Sequence, residues 1–133
     1  MTNALDLLKQ LMEIPSTSGE ETEVCQFVFD LLTENGFQAK KYAVDNKRFN
    51  IVAKLNENPK IYLQAHLDTV TPFIKYSEDD ENIYGRGACD TKGSAACMIT
   101  AGVLAKEQGL KNFGLIFTIE EETTLNGAES LVK

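Results

Sequence analysis

Apolar positions recur at helical spacing in the first segment of the chain, where Leu5, Leu8, Leu11 and Met12 are joined by Ala4 and Leu7. Pro15 disfavours helical backbone in the residue before it, so the pattern predicts a helix that stops there. A second stripe of Val24, Phe27, Val28, Leu31 and Leu32 lies in STSGEETEVCQFVFDLLTENG, residues 16–36. Ser18 and Glu21 have capping-box spacing at its start and Gly36 supplies a stop, which predicts a second helix. FQAKKYAV then reads as an edge strand whose lysines discourage further pairing.

FNIVAKL and KIYLQAHLD, separated by the turn-rich NENP, are predicted as two antiparallel strands joined by a tight connection. Strand alternation puts Ile61, Leu63, Ala65 and Leu67 on one face of the second, and Tyr62, Gln64, His66 and Asp68 on the other. The long stretch from Thr69 to Cys89 is irregular, with an acidic tip, SEDDEN, expected to cap a small hairpin. TKGSAACMITAGVLAKEQGL reads as a helix of small residues that lets its neighbours approach closely. FGLIFTI, residues 113–119, is an almost unbroken apolar run suited to a central strand buried on both faces, and LNGAESLVK begins a further helical segment.

Composition narrows the function classes. With 133 residues, 43% apolar and 25% charged, the chain has the make-up of one globular domain. A formal charge of -7 repels polyanions, which argues against nucleic acid, and no apolar segment is long enough to cross a bilayer. No leader pattern opens the chain, so a cytoplasmic protein is expected. Cys25, Cys89 and Cys97 form no C-x-x-C pair and are expected to be small buried residues.

Three acidic clusters converge in this layout. His66 and Asp68 end one strand, Glu120, Glu121 and Glu122 follow another, and Asp90 precedes a helix. In open α/β sheets, ligands bind outside the C-terminal strand ends, so parallel strands would bring the first two clusters together. Imidazole and carboxylates are zinc ligands, and crowded carboxylates raise one another's pKa unless a cation neutralises them. Each cluster also has a plainer reading, since glutamates and an aspartate at helix starts complement the macrodipole. Phosphate binding is disfavoured, because GRGACD has Asp where the dinucleotide fingerprint requires its third glycine and GRGACDTKGS lacks P-loop spacing.

IPSTSGEE, HLDTV, YGRGACDTKG and EEETTLNGAE stand in an order and spacing that resemble one family. It is the dinuclear-zinc metallopeptidase family of acetylornithine deacetylase, succinyl-diaminopimelate desuccinylase, aminoacylase and glutamate-releasing carboxypeptidases. The resemblance implies a three-layer α/β/α fold with a mixed, mostly parallel sheet. It implies two zinc ions, with cobalt or manganese as alternatives, held by His66, by a bridging Asp90 and by Glu122. Asp68 would orient His66, and Glu121 would be the general base for hydrolysis of an amide in an N-acyl amino acid or small peptide, with an acetylornithine-type substrate preferred. Glu120 would occupy a position that is usually Asp, and the alternative register makes Glu120 the base and Glu121 the ligand. A cis peptide between Asp90 and Thr91 is also implied. So is a continuation outside residues 1–133, comprising a lid or dimerisation domain and the C-terminal part of the catalytic domain with the remaining ligands. A complementing chain or a homo-oligomer is therefore an expected partner, and a non-catalytic, partner-binding remnant is the alternative.

Overall fold

The computed structural model describes residues 3–132. Lys133, the last residue of the expected terminal helical segment, and Met1 and Thr2, which open the chain, lie outside the described residues. Helix α1 spans Ala4–Glu13 and is capped by Asn3, whose side chain accepts the Asp6 N–H. It buries Leu7, Leu8, Leu11 and Met12, whereas Leu5 of the expected stripe faces solvent. Helix α2 spans Thr22–Glu34 and buries Val24, Cys25, Val28 and Leu32.

The expected capping box does not form at α2. Glu21 is the N-cap residue and makes no side-chain cap bond, because its carboxylate accepts the Gly19 N–H and an Arg48 N–H instead. Ser18 donates to Asp68. Long-range partners have outcompeted local capping for both residues.

Strands β1 (Gln38–Ala43), β2 (Phe49–Lys54), β3 (Ile61–His66) and β6 (Phe113–Thr118) form one sheet in the order β1-β2-β6-β3. The short strands β4 (Ser77–Glu78) and β5 (Ile83–Tyr84) make the expected hairpin around the acidic tip. The lysine-bearing β1 is an edge, as its sequence predicts. β2 and β3 run in opposite directions but are not neighbours, so the predicted hairpin is corrected: β6 lies between them, antiparallel to β2 and parallel to β3. The most continuously apolar strand takes an interior place, where it is paired on both sides. The sheet is mixed as expected, but among the described residues two of its three pairings are antiparallel, so the parallel majority is corrected as well.

Ile51 and Ala53 sit opposite Phe117 and Leu115, and all four are fully buried. Helix α2 packs on β1 and β2, α3 (Lys92–Glu107) on β3 and β6, and α1 on α3. The small residues of α3 permit this closeness: a Cβ at Gly102 would stand 3.2 Å from the Leu115 side chain. On the other face, the short helix α4 (Asn126–Ser130) is held by Asn50, whose amide donates to the Gly127 carbonyl and whose carbonyl accepts the Ile119 N–H. Gly127 is required here, since any Cβ would meet the Ile119 carbonyl oxygen. Cys25 is buried as expected, but Cys89 and Cys97 are exposed, which corrects the reading of all three as core residues.

Strand β3 has no partner on its outer side among the described residues, and Ile61 and Leu63 are 61% and 42% exposed there. Open apolar edges template further pairing. The purified 133-residue chain is expected to self-associate, and Ile61→Lys with Leu63→Lys should shift it toward monomer in sedimentation velocity. An unchanged distribution would rule out this edge as the contact.

Candidate metal centre

The parallel register of β3 with β6 sets the site, because it places His66 beside Thr118 and makes the chain leave both strands on the same side of the sheet. His66 is the last residue of β3, Glu120 to Glu122 lie in the turn just past β6, and Asp90 sits two residues ahead of α3. The structure brings all of the expected site residues together. His66 Nε2 lies 3.1 Å from Asp90 Oδ1 and 3.5 Å from Glu121 Oε2. His66, Asp90 and Glu122 each offer one ligand atom within 4.8 Å of the others. The peptide bond between Asp90 and Thr91 is cis, as is that between Thr71 and Pro72.

The imidazole is oriented from behind. Nδ1 is 2.9 Å from the Asp68 backbone carbonyl, which can only accept, so Nδ1 carries hydrogen and Nε2 is the nitrogen left for a cation. Burial works against the charged ring, but the carboxylate and carbonyl of Asp68 and the charge of Glu121 outweigh it and raise the pKa to about 9.

Asp68 itself is saturated. Its Oδ2 accepts the Ser18 hydroxyl at 2.6 Å and the Glu122 N–H at 3.0 Å, while Oδ1 accepts the Glu121 N–H at 3.0 Å and lies 3.4 Å from His66 Nδ1. Burial disfavours its charge, yet His66, Ser18 and the two N–H groups hold its pKa down to about 2. The side chain expected to orient His66 therefore also grips the backbone of the acidic turn.

The three consecutive glutamates have separate environments. Glu120 turns inward with φ 58, and its side chain meets Arg48 at 2.5 Å and Thr124 at 2.6 Å. Glu121 faces His66, and Glu122 faces Asp90 and His66. Desolvation and the nearby charge of Asp90 raise the pKa of Glu122. One imidazole with several carboxylates is a donor set that fits a divalent cation such as zinc, cobalt or manganese.

Several residues that build the site escaped the sequence reading. Ser18 and Glu21 were legible only as a cap, Arg48 sits in an unremarkable turn, and Asn50 is a buried amide in a mostly apolar strand. Asn50 alone carried a signal, since a polar residue at a core position requires a partner. Lys92 is 1% exposed and donates to the carbonyls of Leu11 and Ile14, which ties α3 to the end of α1; burial lowers its pKa to about 8.

The α/β sheet thus carries this donor set at the C-terminal ends of its parallel strands β3 and β6. The model of Peptidase family M20/M25/M40 matches residues 62–133. The chain belongs to that family. A protein of Aspergillus clavatus named as a probable carboxypeptidase is 35% identical, over 98% of this chain and 36% of that protein. A tripeptidase of Staphylococcus aureus superposes with a TM-score of 0.82 at 28% identity, over 96% of this chain and 39% of that one. A Bacillus subtilis peptidase described as binding a dinuclear metal superposes at 0.70 with 20% identity, over 97% of this chain and 37% of that one, which is a likeness of fold. The chain thus spans less than two-fifths of the length of these relatives.

Two measurements probe this geometry. Because the pKa of His66 is raised from 6.5 to about 9, its charge stabilises the metal-free fold fully below pH 6.5, and that contribution vanishes as pH rises through about 9. Urea unfolding of the parent chain should therefore lose stability across this window relative to His66→Gln, and parallel pH profiles would contradict it. Asp68→Asn replaces one accepting oxygen by a donor that faces a hydroxyl or an N–H, and should cost about 1–3 kcal/mol of stability. Retained stability in the same urea assay would show that the clamp is dispensable.

Proposed function

We propose that the chain is the N-terminal part of the catalytic domain of a metal-dependent hydrolase that cleaves an amide bond in a small peptide or N-acyl amino acid. The observation that carries this reading is the convergence of His66, Asp90 and Glu122 within 4.8 Å, with the Glu121 carboxylate 3.5 Å from the same imidazole nitrogen. The names of the relatives, a probable carboxypeptidase and a tripeptidase, favour a peptide over the acetylornithine-type substrate expected from sequence.

In this reading His66 and Glu122 would each help hold one of two divalent cations, and Asp90 would contribute to both. Bound cations polarise a substrate carbonyl and bring the ionisation of water toward neutral pH. Glu121 is the general base, taking the proton of the attacking water at its carboxylate and delivering it to the departing amine. Its separation from Glu120, whose carboxylate is already committed to Arg48 and Thr124, favours this register over the alternative with Glu120 as base. The remaining ligands and the lid or dimerisation domain come from outside these residues, whether from a continuation, a complementing chain or a second copy. Exposed free thiols at Cys89 and Cys97 support a cytoplasmic setting.

The deciding experiment is Glu121→Ala in the enzyme complete with its remaining ligands. Turnover should fall by about 10²- to 10⁴-fold while bound metal, counted by elemental analysis, stays at the parent level. Loss of metal would make Glu121 a ligand and return the base to Glu120, and an absence of metal in the active parent would remove the whole reading.

A further inference from the structure

We propose that Arg48 is a positioning residue: held by Glu21 and Asp45, it fixes Glu120 and thereby the turn that presents Glu121 and Glu122. The inference rests on the reading of those two glutamates given above, because a positioning role has meaning only if their placement matters.

Arg48 lies in the connection between β1 and β2, remote in sequence from the acidic turn. Asp45 prepares it locally, since Oδ1 accepts the N–H groups of Lys47 and Arg48 while Oδ2 accepts the guanidinium Nε at 2.7 Å. Nη1 then reaches Glu21 Oε2 at 3.1 Å, and Nη2 reaches Glu120 Oε1 at 2.5 Å. The guanidinium fork thus joins three carboxylates from three segments, and the Arg48 side chain is only 16% exposed. Glu21 is fully buried and shares its other oxygen with the Gly19 N–H. A carboxylate so buried is retained only with a partner.

Glu120 shows why such a hold is needed. Its φ of 58 is in the left-handed region, which a residue with a side chain seldom adopts without compensation. That backbone turns the chain so that the next two N–H groups point at the Asp68 carboxylate. Three contacts keep it there: Arg48 on Oε1, the Thr124 hydroxyl on Oε2, and the Leu125 N–H on the Glu120 carbonyl. The turn is therefore clamped from two sides, by Asp68 on its backbone and by Arg48 on its leading side chain. Within this turn, Asp68 grips only amides, which any residues could supply. Arg48 grips the one side chain that must point inward for its two neighbours to point out.

Site-resolved amide hydrogen exchange on the full chain, without metal, tests this. In Arg48→Met and in Glu120→Gln, the Glu121 and Glu122 amides should lose protection by at least about tenfold, while Ile51, Leu115 and Phe117 change by less than about threefold. Arg48→Lys should restore part of the loss. If Arg48→Met fails to fold, Glu120→Gln decides, since it leaves the Arg48 pairs with Glu21 and Asp45 intact. Unchanged protection at Glu121 and Glu122 would overturn the proposal. An equal loss at the core amides would also do so, because Arg48 would then be a general brace of the fold. The comparison uses no metal, so its failure is separate from failure of the metal reading, which shows as missing metal in the complete enzyme.

Discussion

The two oxygens of Asp68 receive the hydroxyl of Ser18, the amides of Glu121 and Glu122, and the approach of His66 Nδ1. Those donors come from the loop before α2, from the turn after β6 and from the end of β3. Without this junction, the acidic turn would be held only at Glu120, by Arg48, Thr124 and the Leu125 N–H, against its repulsion with Asp90. The junction in turn requires the parallel register of β3 with β6, because a shift of one residue would send His66 to the opposite face of the sheet. Sheet register, hydrogen bonding and site geometry are thus one constraint.

Environment, rather than residue type, distinguishes chemically similar groups here. Glu120, Glu121 and Glu122 are identical side chains in succession. Glu120 is turned inward to a guanidinium and a hydroxyl, which keep its pKa low, whereas Glu122 is partly desolvated beside Asp90 and is raised. Glu121 is left half-exposed next to the imidazole. A turn with a left-handed residue at its head is what makes three neighbours point in three directions. The same economy applies to the loop at residues 16–21, where Ser18 and Glu21 serve the site and leave the start of α2 without a side-chain cap.

The elements were largely legible from periodicity. The helices at Ala4–Glu13, Thr22–Glu34 and Lys92–Glu107 and the central strand at Phe113–Thr118 follow apolar spacing and stops that act within a few residues. His66, Asp68, Asp90, Glu121 and Glu122 were named from motif order, and all lie at one place. The neighbour of β2 was not legible, because a tight turn predicts reversal of direction but does not forbid a later strand from inserting into the gap. Ser18 and Glu21 misled for a similar reason. Their spacing suits a local cap, and only the packed fold offers them stronger distant partners.

By itself, then, the sequence determined where the chain is helical or extended, that it carries a family's four motifs, and which residues have metal-binding chemistry. Those properties depend on side-chain type and short-range spacing, which are written directly in the chain. Tertiary structure alone decided that β6 separates β2 from β3, that Asp68 holds the acidic turn as well as the imidazole, and that Glu120 pairs with Arg48. Each of these is a competition among partners dozens of residues apart, and its outcome is set by which contacts the assembled core brings within hydrogen-bonding distance.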